Sequence, residues 1–196
     1  WGYNTNLLNN QSQLQLNCDE KLIVQEYIEG INLSSSVLGS ENEAENIVNS
    51  RLLTQHDFEK NSQFKYVGNI LPLTEKSILA PVKNTDAINR EMADTSEKLI
   101  GKFELIGSNG VDFILNKNGL YVIEINPRIQ GTFECVQQAL GINMLEAHIK
   151  ACQNEIISID KAKYYSYKKI IYSPKTVKYE KIDLNKIGRA HVWTPV

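Results

Sequence analysis

The sequence predicts an α+β fold in which helices pack against a mainly antiparallel sheet. Three observations support this fold class. Several short stretches rich in β-branched residues have the length and composition of strands. Residues 84–104 carry apolar side chains at helical spacing. Residues 110–134, GVDFILNKNGLYVIEINPRIQGTFE, have the pattern of a β-hairpin that continues into a Pro-Arg loop.

The first two strands are predicted on either side of a bend at Glu29 and Gly30. Residues 21–28, KLIVQEYI, form a short apolar run after an acidic turn, and residues 33–38, LSSSVL, follow the bend. The small serines in the second stretch would allow another group to approach the sheet closely. An ordinary hairpin is the simplest interpretation of this pair.

Two further strands are predicted at residues 47–54 and 64–73. Arg51 in the first either faces a site or is a surface charge, and the sequence leaves both open. In the second, Gly68 indicates a bulge or a close backbone approach. Pro72 indicates that this strand ends at an edge of the sheet, because proline cannot donate to a strand ladder.

The long helix over residues 84–104 has a clear start. Asn84, Thr85 and Asp86 all offer an N-cap. The apolar stripe predicted to face the core consists of Ile88, Met92, Leu99, Ile100 and Phe103.

The hairpin arms are predicted at residues 111–115 and 120–126, joined by the turn residues Asn116 to Gly119. A three-residue loop with Gly119 in the left-handed conformation suits this turn. That loop pairs Asn116 with Leu120 and makes Asp112 face Glu124. A two-residue loop would put the two carboxylates on opposite faces, because a one-residue slip inverts the side-chain pattern.

Two opposed carboxylates repel each other unless one is protonated or a cation lies between them. Asn126 lies two residues beyond Glu124 and points to the same face. Two carboxylates and an amide oxygen suit Mg²⁺ or Mn²⁺ carrying nucleotide phosphates. Arg128 could then hold a phosphate oxygen. The alternative is a hairpin with a solvated polar face.

The motif VDF followed by VIEINPR resembles the metal-binding hairpin of the ATP-grasp superfamily. The resemblance implies that Asp112, Glu124 and Asn126 bind the metal ions, Mg²⁺ or Mn²⁺. It also implies a catalytic role for Arg128, which would contact phosphate and the reacting acyl group. The expected fold is then the ATP-grasp fold without its N-terminal part, since no Gly-rich loop precedes Gln25.

The stretch QEYIEG followed by SSSVL resembles the adenine-gripping hinge of the same family. The resemblance implies that Gln25, Glu26, Tyr27 and Ile28 bind the adenine of ATP. Asn32 stands where the family usually has an acidic ribose ligand, and an amide can also bond hydroxyls.

The resemblance implies a ligase that uses ATP to join a small-molecule carboxylate to an amine through an acyl phosphate. A carboxylase of the same superfamily and a non-catalytic nucleotide-binding module are the alternatives. The expected division is residual N-terminal loop at 1–20, ATP-grasp C-terminal subdomain at 21–160, and a strand pair at 161–187. Residues 188–196 continue no pattern and are interpreted as a non-native tail, or else as a terminal loop.

After the hairpin, Thr132 is predicted to cap a helix at about residues 133–140, and Asn143 a second helix at 144–152. His148 on the second helix is interpreted as a partly buried structural residue. Residues 164–174 and 176–179 have the pattern of two strands, interpreted as an edge hairpin that lysines protect.

Composition excludes several classes of protein. The net charge of −2 argues against a nucleic-acid surface, and no apolar run is long enough to span a membrane. The three cysteines, Cys18, Cys135 and Cys152, have neither disulfide nor zinc spacing, so a cytoplasmic protein is expected.

Overall fold

The computed structural model describes residues 23–58, 65–75 and 84–172, and the backbone of residues 189–195. Its elements in chain order are strands β1 (Ile31–Gly39), β2 (Ala44–Thr54) and β3 (Tyr66–Leu71), helix α1 (Thr85–Lys102), strands β4 (Gly107–Asn116) and β5 (Gly119–Asn126), helices α2 (Phe133–Leu140) and α3 (Met144–Cys152), and strands β6 (Tyr164–Ile170) and β7 (Arg189–Pro195). A short 3₁₀ turn, Gln55–Asp57, follows β2.

The strands form one seven-stranded sheet in the order β5-β4-β1-β2-β3-β6-β7. Every neighbouring pair in it is antiparallel. The predicted α+β class with an antiparallel sheet is therefore confirmed. None of the helices in the described part of the chain is long and apolar enough to cross a membrane.

Helices cover both faces of the sheet. On one face, Leu33 and Phe113 of the sheet pack against Met92 and Ile100 of α1. On the other face, Val48 and Leu71 pack against α2 and the start of α3. Because successive side chains of a strand point to opposite faces, Ser34 and Asp112 point to the side of α2. Ser34 and Asp112 thus lie on the face of the sheet that α2 covers, opposite to α1.

Helix α1 begins as predicted. Asn84 is its N-cap, and the Asn84 side chain accepts a hydrogen bond from the Ala87 N–H. The helix ends at Lys102, however, and Phe103 is 57% exposed. Phe103 was therefore wrongly assigned to the buried stripe, because the chain leaves the helical path at this residue.

Strand β3 lies inside the sheet, between β2 and β6. The prediction that it ends at a sheet edge was wrong, since Pro72 follows the last paired residue and removes no donor from the ladder. The predicted close approach at Gly68 is confirmed. A Cβ atom added there would lie 1.9 Å from the backbone oxygen of Lys168, and the β2–β3 register shifts beside it.

Strand β6 forms where the first of the two late strands was predicted, but it is no edge strand. It lies between β3 and β7, so the interpretation of an edge hairpin protected by lysines was wrong. Strand β7 comes from Arg189–Pro195, inside the stretch interpreted as a non-native tail, whose origin stays a prediction. The strand predicted at 176–179 lies outside the described residues, and the domain limits stay predictions.

The strand predicted at residues 21–28 does not form in the described part of that stretch. Residues 23–29 have no regular structure, and Ile23 is 92% exposed. No described strand forms a ladder with them, so their β-branched residues lack the neighbouring strand that a sheet requires.

Helix α3 carries the half-buried His148. The N–H of Ser108 donates to its Nδ1 at 2.9 Å, and an added Cβ at Gly107 would meet the same ring. This histidine therefore joins α3 to the start of β4, in agreement with the structural role predicted for it.

Candidate active site

The β4–β5 hairpin turns through two residues, Lys117 and Asn118, because Asn116 pairs with Gly119. The three-residue loop predicted from the sequence was therefore wrong. Even so, Asp112 pairs directly with Glu124, as expected. A β-bulge at Ile123, which has no partner on β4, shifts the register by one residue and restores the pairing.

Asp112 is the buried centre of this hairpin base, with 5% exposure. Ser34 on the neighbouring strand β1 donates its hydroxyl proton to Asp112 Oδ1 at 2.6 Å. Asn126 donates from Nδ2 to Asp112 Oδ2 at 3.1 Å. The carboxylate is therefore held by donors from both neighbouring strands, as a buried charge requires.

Asn126 links Asp112 to Arg128. The Arg128 Nη2 donates to Asn126 Oδ1 at 3.1 Å, and its Nη1 donates to the Ile129 carbonyl at 3.3 Å. Arg128 itself is exposed, whereas Asn126 is buried. A single chain of hydrogen bonds thus runs from an exposed guanidinium to a buried carboxylate.

Glu124 completes the predicted metal set, and its side chain is exposed opposite Asp112. Within the residues that the structure describes, no three His, Cys, Asp or Glu side chains form a metal-binding group. The fit to a cation therefore depends on two carboxylates and one amide, a hard-oxygen set that suits Mg²⁺. Asn126 would have to turn its amide, because its nitrogen now faces Asp112.

Gln130 is a site residue that the sequence analysis missed. Its Nε2 donates to Ser34 Oγ at 3.1 Å, and Ser36 Oγ donates to its Oε1 at 3.1 Å. Its side chain lies over Gly110, where an added Cβ would come within 1.7 Å of Nε2. Gln130 and its partners are far apart in the chain. The sequence signals the contact only through Gly110, whose missing side chain leaves room for Gln130.

A pocket of about 180 Å³ lies beside this network. Its walls comprise Ser34, Leu52, Tyr66, Asp112, Asn126, Arg128, Gln130, Gly131 and Thr132. Burial raises the pKa of the Tyr66 hydroxyl well above its ordinary value of 10.0, and the charge of Cys135 adds to the shift. The hydroxyl therefore stays protonated and donates to Asn69 Oδ1 at 2.8 Å.

The predicted hinge residues lie near the other end of the hairpin. Glu26, Tyr27 and Ile28 line a pocket of about 490 Å³ whose far wall is the hairpin tip, residues 116–118 with Tyr121. Asn116 Nδ2 donates to the Glu29 carbonyl at 3.3 Å and joins the two walls. Burial, followed by the charge of Glu29, raises the pKa of Tyr27. Gln25 is exposed, and it does not line this pocket.

Asn32 is half-buried on β1 and pairs with Ile114. It shares the sheet face of Ser34, because the two residues are two apart on one strand. Asn32 therefore lies between the hinge pocket and the acidic pair, where a ribose ligand was expected.

Arg51 does not face the site. It pairs with Leu33, whose side chain points to α1 on the opposite face of the sheet. Its Nη2 lies 2.9 Å from Asp57 Oδ1, and the residue is buried. Arg51 is thus neither a site residue nor a surface charge, and its ion pair with the exposed Asp57 holds it instead.

Residues 2–132 match a protein family described as the ATP-grasp domain. Among curated proteins, the chain is 29% identical over 125 residues to an uncharacterized protein of Methanocaldococcus jannaschii, covering 63% of this chain and 26% of that protein. It is 31% identical over 141 residues to the tyramine–L-glutamate ligase of the same organism, covering 70% of this chain and 38% of the ligase. The chain thus spans well under half the length of these relatives.

Solved structures share the fold. Biotin carboxylase from Campylobacter jejuni matches 74% of this chain with a TM-score of 0.59 and 19% identity, over 31% of its own length. The biotin carboxylase domain of Hydrogenobacter thermophilus 2-oxoglutarate carboxylase, solved with MgADP and bicarbonate, matches 73% with a TM-score of 0.56 and 19% identity, over 30% of its length. At these identities the likeness concerns the fold alone.

Proposed function

The chain belongs to the ATP-grasp family, and on that premise we propose that it is part of an ATP-dependent ligase that joins a small-molecule carboxylate to an amine. The observation that carries the proposal is the base of the hairpin. There Asp112 faces Glu124, and Asn126 links Asp112 to Arg128. These are the four residues to which the family motif gives metal and phosphate roles.

Asp112, Glu124 and Asn126 would hold Mg²⁺ or Mn²⁺, because hard oxygen donors prefer these ions. The bound ion would supply neutralisation of the negative charge that develops on the ATP phosphates. The role of this chain's own residues is to present these donors on a rigid pair of strands. The hydrogen bond from Ser34 already orients Asp112 for that purpose.

The proposed reaction has two steps. A carboxylate oxygen of the substrate attacks the γ-phosphorus of ATP, the bond from that phosphorus to the β–γ bridging oxygen breaks, and ADP leaves. The amine nitrogen then attacks the carbonyl carbon of the acyl phosphate, phosphate leaves, and the nitrogen loses a proton. Arg128 is exposed beside the acidic pair, so its guanidinium can stabilise the charge on the phosphoryl oxygens in the first step and the oxyanion in the second.

The position of the hinge pocket supports the assignment of the nucleotide. Asn116 at the hairpin tip lies four residues along β4 from Asp112, which is about 13 Å of strand. ATP with its adenine beside Tyr27 and Ile28 and its ribose near Asn32 would run along the hairpin toward the acidic pair. Gln25 and Glu26 would complete the adenine contacts.

A thermal-shift titration with ATP, with and without Mg²⁺ or Mn²⁺, tests the proposed site. A ligand that binds only the folded state must raise its melting temperature. We expect a metal-dependent rise that Asp112→Asn abolishes. Asp94→Asn is the matched control, because Asp94 is exposed on α1, which covers the other face of the sheet. A rise that persists in Asp112→Asn would refute the metal assignment.

Phosphate release separates the candidate reactions. Release that requires both a carboxylate and an amine supports the ligase. Release stimulated by bicarbonate would replace the ligase with a carboxylase. A chain that binds Mg·ATP yet releases no phosphate with any carboxylate and amine pair would be a nucleotide-binding module.

A further inference from the structure

Lys168 is buried in the middle of β6, with 4% exposure. Its ammonium donates to the Gly131 carbonyl at 2.7 Å and to Glu134 Oε2 at 2.9 Å. A buried ammonium loses several kcal/mol of hydration unless hydrogen-bond partners compensate it. Both of its partners belong to the segment that follows the hairpin.

That segment, residues 127–132, is here called the site loop. It carries Arg128 and contributes Gly131 and Thr132 to the smaller pocket. One attachment joins it to the sheet through Gln130, which bonds Ser34 and Ser36 of β1. Lys168 provides a second attachment from β6, three strands away from β1. The loop therefore crosses the sheet face with one fixed point on each side.

The second attachment acts on the backbone. Lys168 holds the carbonyl of Gly131, a residue without a side chain of its own, and Glu134 in the first turn of α2. It thereby fixes the join between the site loop and α2. The other end of the loop is fixed by the Arg128 N–H, which donates to the Asn126 carbonyl at 2.8 Å.

We infer that Lys168 is a positioning residue of the proposed ligase site, one that acts by holding the site loop so that Arg128 stays beside Asn126 and Asp112. The inference deepens the proposed function and rests on it for its consequence in catalysis. The attachment of the loop itself is a property of the free protein, and it can be measured without nucleotide.

Hydrogen exchange of the free full chain tests the attachment. In Lys168→Met, we expect the amides of Arg128 and Phe133, which bond within the loop, to exchange about tenfold faster, since a charge-assisted hydrogen bond is lost. Lys169→Met is the matched control, because Lys169 is exposed and adjacent on the same strand. Unchanged exchange in Lys168→Met would overturn the inference. Lys168→Arg should keep most of the protection, and Glu134→Gln, which removes the charge of the partner, serves if the methionine variant does not fold.

The second measurement separates positioning from a merely structural role. Mg·ATP affinity is measured by calorimetry in four chains: the wild type, Lys168→Met, Arg128→Ala and the double variant. If Lys168 acts through Arg128, Lys168→Met lowers affinity about fivefold to tenfold in the wild type and has little effect in the Arg128→Ala background. Equal losses in both backgrounds would overturn the inference. If the wild type binds no Mg·ATP, the proposed function fails, and hydrogen exchange still decides whether Lys168 holds the loop.

Discussion

Two side chains at the base of the β4–β5 hairpin are buried and hydrogen-bonded to each other, whereas those of residues 23–30 are mostly exposed. At the hairpin base, Asp112 and Asn126 are both 5% exposed and bonded to each other. In the segment, Val24 is 68% and Tyr27 is 46% exposed, and no described strand pairs with it. The difference teaches that the metal and phosphate end of the proposed site is organised in advance. The segment that would bind adenine is exposed instead.

The largest effect is expected from Glu124→Gln. The substitution removes one of the two opposed carboxylates, so the metal-dependent thermal shift with ATP should disappear, and any ligase turnover should fall by about a hundredfold or more. Because Glu124 is exposed, the free energy of unfolding should change by less than about 0.5 kcal/mol. Urea unfolding beside Glu91→Gln, an exposed acid on α1, provides the control. Comparable losses of stability and binding would make Glu124 structural.

Ser34→Ala tests whether the hairpin base is a connected network. The variant leaves the buried Asp112 without one donor, which should cost about 1–3 kcal/mol in the free energy of unfolding. Ser50→Ala is the matched change on the next strand, where the hydroxyl bonds only a backbone carbonyl at 3.3 Å. Its cost should be below about 1 kcal/mol. Equal losses of unfolding free energy in the two variants, measured by chemical denaturation, would show that the Ser34 network adds no special stability.

A smaller loss in the free energy of unfolding is expected in alkaline solution. Burial raises the pKa of both Tyr66 and Cys135 in the folded chain, so the unfolded chain loses these protons first as the pH rises. Stability should therefore be fully present below the ordinary thiol value of 9.0 and should decline above it, through the ordinary tyrosine value of 10.0. Tyr66→Phe should flatten this decline more than Tyr27→Phe, since Tyr66 is far more buried. Urea unfolding from about pH 7 to about pH 11 measures it.

The smallest effect is expected from Gln25→Ala in the exposed segment. The side chain is exposed, so the free energy of unfolding should change by less than about 0.5 kcal/mol. Mg·ATP affinity should fall by no more than a few-fold, because Gln25 does not line the hinge pocket. Calorimetry beside Glu26→Ala would show whether either side chain matters. A loss as large as that of Glu124→Gln would mean that both ends of the site are organised by side chains.

Local patterns predicted much of the fold. The cap at Asn84, the close approach at Gly68 and the pairing of Asp112 with Glu124 were all readable from the sequence. The pairing of Asp112 with Glu124 was predicted correctly, however, from a turn length that was wrong. The turn is one residue shorter than predicted, and the bulge at Ile123 compensates, which no alternation pattern reveals because a bulge is set by the whole sheet.

Three further misses depend on contacts between distant parts of the chain. Lys168 lies in a stretch interpreted as a sheet edge, yet β6 lies between β3 and β7, and the Lys168 side chain is buried against Gly131 and Glu134. Gln130 makes its bonds to residues more than ninety positions away. Arg51 is turned from the site by the register of β2 on β1. Register and tertiary neighbours are the information that a single sequence lacks.

The bulge at Ile123 also affects the edge of the sheet. Among the described strands, β5 forms one edge of the sheet, and an edge strand with free backbone groups can accept a strand from another molecule. A residue that does not follow the ladder interrupts the regular spacing of those groups and increases the local twist. The same irregularity that aligns the two carboxylates therefore also makes this edge a less regular template for a strand of another chain.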